Sequence, residues 1–117
     1  MEEKMSIFGF FKSKKEIKEK YIPQGPSGCM ASNRITVDGC KVGYMYREEP
    51  DADATFPDSG WRFFAGDEDE SYTDNPDNFH IFNLNTICNY DGDIVPYLDA
   101  PYGVVFVREG DLFVKDE

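Results

Sequence analysis

Asp58-Ser59-Gly60-Trp61-Arg62-Phe63-Phe64-Ala65-Gly66-Asp67-Glu68-Asp69-Glu70 brings together the chain's only tryptophan, a glycine break and four consecutive acids. Alternation points Trp61, Phe63 and Ala65 one way and Arg62 and Phe64 the other. With large groups on both sides, such a strand has neighbours above and below and belongs in the middle of a sheet. Asp58-Ser59-Gly60 has the composition of a turn leading into it. Trp61, Phe63, Phe64 and, further back, Tyr44 are the expected structural anchors.

Towards the N-terminus, residues 48–57 carry two prolines and four acids and predict a loop. Before it, Ile35-Thr36-Val37 and Val42-Gly43-Tyr44-Met45-Tyr46 flank Asp38-Gly39, the pattern of a tight hairpin with Val42, Tyr44 and Tyr46 on one face. Cys29 to Ser32 reads as a short strand, and Pro23-Gln24-Gly25-Pro26-Ser27-Gly28 as a linker. Phe10, Ile17 and Tyr21 form a thin helical stripe that predicts a helix over 11–21, aided by Glu16 four residues before Lys20. Its Phe8, Phe10 and Phe11 lie beside Lys12, Lys14 and Lys15. Docking of those aromatics on the domain is preferred to a membrane-surface anchor.

Towards the C-terminus, residues 66–78 predict a polar surface loop anchored by Tyr72. Phe79 to Phe82 is a short extended run. Asn83 can cap a helix bearing Leu84, Ile87 and Cys88 at i, i+3 and i+4, with Gly92 at its end. Asp93 suits the cap of a second short turn through Leu98, with Pro96 tolerated in its first turn. Val104 to Val107 and Leu112 to Val114 around Arg108-Glu109-Gly110-Asp111 predict a closing hairpin. The fold class is α+β: a single domain with a mostly antiparallel sheet, a short N-terminal helix, and one or two short helices packed on one face. Residues 1–27 form the N-terminal helix and linker, and 28–117 the domain.

A chain of 117 residues is long enough to bury one core. Its charge is uneven. Residues 1–20 hold six Lys against four Glu, whereas 48–117 hold eighteen acids against Arg62, Arg108 and Lys115, a net of −15. A phosphate backbone is repelled by most of such a surface, so nucleic acid is excluded and a basic protein partner favoured. Cys29, Cys40 and Cys88 form no CxxC and, with His80 as the single histidine, supply neither a disulfide framework nor a zinc set; a reducing cytoplasm fits. The apolar run at 7–11 is too short for a signal core or a membrane span.

The chemical motifs are weak. Asp67-x-Asp69-x-Ser71 has the opening spacing of a calcium loop, but Tyr72 stands where glycine is required and Asn78 where a bidentate glutamate is required. A solvated acidic run does not hold two carboxylates with divergent pKa values, as acid–base catalysis needs. His80 sits in a strand-like run and reads as a core or edge residue, and Cys88 as a buried, inert thiol. No glycine-rich phosphate loop opens a helix. The expectation is no catalytic residue, no metal and no cofactor.

Three strings carry a resemblance: Val42-Gly43-Tyr44-Met45-Tyr46-Arg47-Glu48-Glu49-Pro50, Asp58-Ser59-Gly60-Trp61-Arg62-Phe63-Phe64-Ala65-Gly66-Asp67-Glu68, and Leu84-Asn85-Thr86-Ile87. Over residues 28–109 the chain resembles the bacterial domain of unknown function 2185, also called the immunity protein 33 family. The resemblance implies a small cytoplasmic protein, sometimes linked with SUKH-type immunity domains, that protects a bacterium from a toxin delivered by its kin. It brings no catalytic residues. Family members often place a proline after the aspartate at Asp91 and a smaller residue after the glycine at Gly103; here Gly92 and Val104 stand there. The expected function is therefore non-enzymatic neutralisation of a basic protein partner, a toxin encoded nearby, through Asp67, Glu68, Asp69, Glu70, Tyr72, Asp74, Glu48 and Glu49. A regulatory or scaffold domain, or a carboxylate-dependent enzyme, is the alternative.

Overall fold

The computed structural model describes residues 19–116. Its strands are β1 (Gly28–Ser32), β2 (Tyr44–Arg47), β3 (Asp58–Phe64), β4 (Phe79–Asn83), β5 (Val105–Glu109) and β6 (Leu112–Lys115). They form one six-stranded sheet in the order β4-β1-β3-β2-β5-β6, so the Trp61 strand is central, as its two-sided bulk requires. The sheet is mixed: β1 and β3 run parallel, while every other neighbouring pair is antiparallel. The sheet is thus mostly antiparallel, as expected, with one parallel pair at β1 and β3.

Asp58-Ser59-Gly60 is not a turn. It opens β3 and forms a bulge, since the register against β1 passes from Gly28↔Asp58 to Met30↔Arg62. The bulge frees backbone N–H groups, and the adjacent side chains take them: Asp58 Oδ1 accepts from Gly60 N at 2.9 Å and Ser59 Oγ accepts from Trp61 N at 3.2 Å. Gly60 has φ +92, and a Cβ there would stand 2.1 Å from the Glu48 carbonyl oxygen. Only glycine meets both demands. Ala65 lies just past the strand end.

The helices are short: α1 (Asn33–Thr36), α2 (Glu70–Thr73), α3 (Leu84–Tyr90), and 3-10 turns at Pro76–Asn78 and Gly92–Tyr97. The first corrects the hairpin expected over 35–46. Ser32 ends β1 and accepts from Arg34 N, Ile35 turns into the core, and Gly39 at φ +82 releases the chain after α1. Local capping outweighs the β preference of Ile-Thr-Val. Val42 then precedes β2 and joins the core with Met45, not the face of Tyr44 and Tyr46. Residues 66–78 likewise contain α2 and a 3-10 turn in place of an open loop.

α3 follows its predicted design, capped by Asn83 and burying Leu84, Ile87 and Cys88. Gly92 does not end it: Asp91 is the C-cap, and Gly92 opens the next turn. That turn is capped by Asp91, whose side chain accepts from Asp93 N, so Asp93 is not the cap, and Pro96 sits inside the 3-10 turn beyond its first positions. β5 and β6 form the predicted hairpin around Gly110-Asp111. The helix expected over 11–21 lies outside the described residues up to 18, and its end, 19–21, is not helical.

One core holds the domain together. Ile35, Leu84, Ile87, Cys88, Ile94 and Leu98 cover the sheet face formed by Cys29, Ala31, Met45, Trp61, Phe63, Phe106 and Phe113. Trp61 is fully buried, stacks at 5.9 Å on Phe63 and donates from Nε1 to the Leu98 carbonyl at 3.1 Å. The incoming chain is pinned to α3 through Asn85, which accepts from the backbone N–H of Lys20 and of Tyr21 and donates to the Tyr21 carbonyl. Among the described residues no helix is long and apolar enough to cross a membrane.

Candidate functional site

The acidic residues expected to bind a partner fall into two groups, one following β2 and one following β3. The first follows β2. Glu48 accepts from Arg62 Nε at 2.8 Å, and Asp58 takes both terminal nitrogens of the same guanidinium, at 2.9 and 2.7 Å. Arg62 and Asp58 are almost wholly buried, whereas Glu48 is half exposed. Burial acts to raise the Asp58 carboxyl, but the hydrogen bonds from Arg62 and Gly60 and the guanidinium charge outweigh it. The carboxyl therefore ends below the usual aspartate range. Together with Glu49, Asp51 and Asp53, this pair lines an open cavity of about 650 Å³.

The second group is the run from Asp67 to Glu70, and three of its four carboxylates already have structural partners. Asp67 pairs with Arg34 across the α1 turn at 2.6 Å, and those hydrogen bonds lower its carboxyl. Glu68 closes the exit of β3, accepting from Ala65 N at 2.8 Å and Gly66 N at 2.9 Å. Asp69 caps α2, accepting from Tyr72 N at 2.8 Å. Glu70, in the first turn of α2, and Asp74, at its end, make no side-chain hydrogen bond or ion pair among the described residues. Asp67 and Asp69 thus serve different elements. Among the described residues no three His, Cys, Asp or Glu side chains converge as a metal site.

Tyr72 packs edge-on against Phe79 at 6.0 Å, which ties α2 to the corner of the sheet. Phe79 in turn meets Phe64, and Tyr44 and Tyr46 complete the cluster. Tyr44 and Phe64 thus lie on the face opposite Trp61 and Phe63. His80 is exposed on the edge strand β4. Cys29 and Cys88 are buried and unpaired, and burial pushes the Cys88 thiol up to about 11.

One acid with a large structural role has no motif around it. Asp91 is buried and accepts from Val42 N at 2.9 Å, Asp93 N at 3.0 Å and Arg108 at 2.6 Å. Arg108 also reaches Asp93, so one guanidinium ties β5 to the 3-10 turn. The only sequence signal is an aspartate directly after an apolar helix.

The family profile of the Immunity protein Imm33 domain matches residues 29–115, from the second residue of β1 to the last of β6. Among curated proteins and solved structures there is no significant match. The matched span contains all of the sheet but Gly28, the bulge at Gly60 and both acidic groups, and on that ground the chain belongs to the Imm33 immunity protein family.

Proposed function

We propose that this protein neutralises a toxin by binding it, without catalysis, in the cytoplasm. The observation that carries the reading is family membership across residues 29–115. The sign of the partner follows from charge. With eighteen acids against three basic residues over 48–117, complementarity favours a toxin with a basic surface. Glu48 and Glu49 on one side, and Asp67 to Glu70, Tyr72 and Asp74 on the other, are the groups we assign to that contact. The three free thiols fit a reducing compartment.

The test is co-expression with the toxin domain encoded beside this gene. The expected result is rescue of growth and a complex that survives gel filtration. Its association rate should fall as salt rises from about 0.05 to 0.5 M, because steering is screened over that range. Cells that die at the same rate with and without this protein, and no co-elution, would refute the reading.

A further inference from the structure

The two faces of the sheet are unequal. α1, α3 and the Gly92–Tyr97 turn cover the face of Trp61 and Phe63. On the opposite face, register places Tyr44 beside Phe64 and Val107, Tyr46 beside Arg62 and Val105, and Val114 beside Val107. Among the described residues, α2 reaches only a corner of this face, through Tyr72 on Phe79.

Tyr44, Tyr46 and Phe64 form a triangle with centroids 5.8 to 6.0 Å apart, each ring half buried in the middle of the sheet. A cleft of about 460 Å³ opens beside them, floored by Tyr44, Phe64 and Val107 and walled by Gly66, Glu68 and Thr73. Carboxylates stand around the rings. Glu48 lies at the Tyr46 end, where burial and then its charge raise the phenol. Glu68 lines the cleft, and Glu109 is exposed on the last β5 position of the same face.

We propose that this half-open aromatic face is the docking surface for a basic protein, the toxin domain of the preceding section. An apolar side chain of the partner seats on Phe64 in the cleft, and Lys or Arg side chains around it meet Glu48, Glu68 and Glu109. The inference rests on the toxin-neutralising reading and moves the centre of contact from the 67–70 run to the rings. Rigid aromatic side chains give large contact area with little rotamer entropy to lose, and they dominate binding energy when rimmed by polar groups. A second copy of this chain is a poor occupant, because it would bring its own carboxylates onto these and the chain carries a net charge of −11.

The experiment uses the full chain and the catalytically inactivated toxin domain encoded beside the gene, with Kd and dissociation rate measured at about 0.15 M salt. Val114→Lys introduces a cation at a position 40 % exposed on this face, and Tyr46→Ser removes a ring; Val37→Lys, 73 % exposed beyond α1, is the matched control. Unchanged far-UV spectra and melting of Val114→Lys guard against misfolding.

We expect Kd to rise at least tenfold in Val114→Lys and Tyr46→Ser and to stay within twofold in Val37→Lys. A complex whose Kd is unmoved by both face variants overturns this surface while leaving toxin neutralisation intact. Absence of any complex overturns both. A dimer of the free protein that Val114→Lys dissociates would give the face to a second copy, and a tenfold gain in toxin affinity on deleting residues 1–18 would give it to the chain's own N-terminal segment. Either result overturns the proposal.

Discussion

Glu68→Ala and Glu70→Ala remove the same charge two residues apart, so the protein's overall field changes equally in both and any difference between them is local. Glu68 accepts from Ala65 N at 2.8 Å and Gly66 N at 2.9 Å; Glu70 has no side-chain partner among the described residues. Hydrogen bonds to a charged group contribute about 1.5–3 kcal/mol each when well buried. Ala65 is half buried, but Gly66 is exposed and its N–H can turn to water. One bond at the lower end plus a fraction of the second gives about 2 kcal/mol for Glu68→Ala. Glu70→Ala, losing only a first-turn dipole contact, costs about 0.5 kcal/mol. In a domain of this size 1 kcal/mol moves the melting temperature by about 4 °C, so the variants should separate by about 6 °C. Thermal unfolding followed by circular dichroism at pH 7, supported by urea midpoints, measures this. Melting temperatures equal within 1 °C would refute the assignment of Glu68 as the clasp of the β3 exit and return it to the solvated face.

Three further outcomes are expected. Trp61→Ala should cost about 3–5 kcal/mol, since it empties the centre of the core and strands the Leu98 carbonyl; a loss below about 1 kcal/mol in urea titration would remove Trp61 from the core. Asp58→Asn should cost about 3 kcal/mol at pH 7 by leaving Arg62 half-paired in a buried site. Because the folded Asp58 carboxyl is depressed, its stabilisation is complete above its unfolded pKa of about 4 and is lost as pH falls through the folded value. Urea midpoints should therefore fall less steeply below pH 4 in Asp58→Asn than in the parent, and parallel curves would sink the pairing. With a thiol reagent at pH 8, Cys40 alone should react promptly, while Cys29 and Cys88 react only on unfolding; prompt reaction of Cys88 would contradict its burial.

What was legible in the sequence is what local pattern controls. Aromatics on both sides of the Trp61 strand announced a central strand, Asn83 announced the start of α3, and the glycine-containing turn announced the β5–β6 hairpin. Pairing between distant segments was not legible: β1 lies parallel to β3, and no short-range signal encodes that contact. Ile35-Thr36-Val37 misled because branched residues favour strands on average, whereas Ser32 and the demands of the core select a helical turn at this place. The acidic run carries roles that composition does not announce: Glu68 and Asp69 are acceptors for stranded backbone N–H groups and Asp67 is a partner for Arg34. The role of Asp91 is not legible because a lone aspartate after a helix looks like any cap until Val42 and Arg108 arrive from elsewhere in the chain.

The strand order bears on how the chain assembles during synthesis. β1 and β2 are not neighbours; β3 lies between them and pairs with both. Until residue 64 has been made, neither earlier strand has a partner, and the Gly60 bulge must be in place before Met30 and Arg62 fall into register. Productive pairing is therefore deferred until β3 and begins with contacts far apart in sequence, the kind that slow folding. β4 then covers the β1 edge once residue 83 has been made, while the β2 edge stays open until β5 and β6 follow. A fragment ending at residue 57 should remain unfolded by circular dichroism, and exposed strand edges make the intermediate lengths the ones most exposed to aggregation.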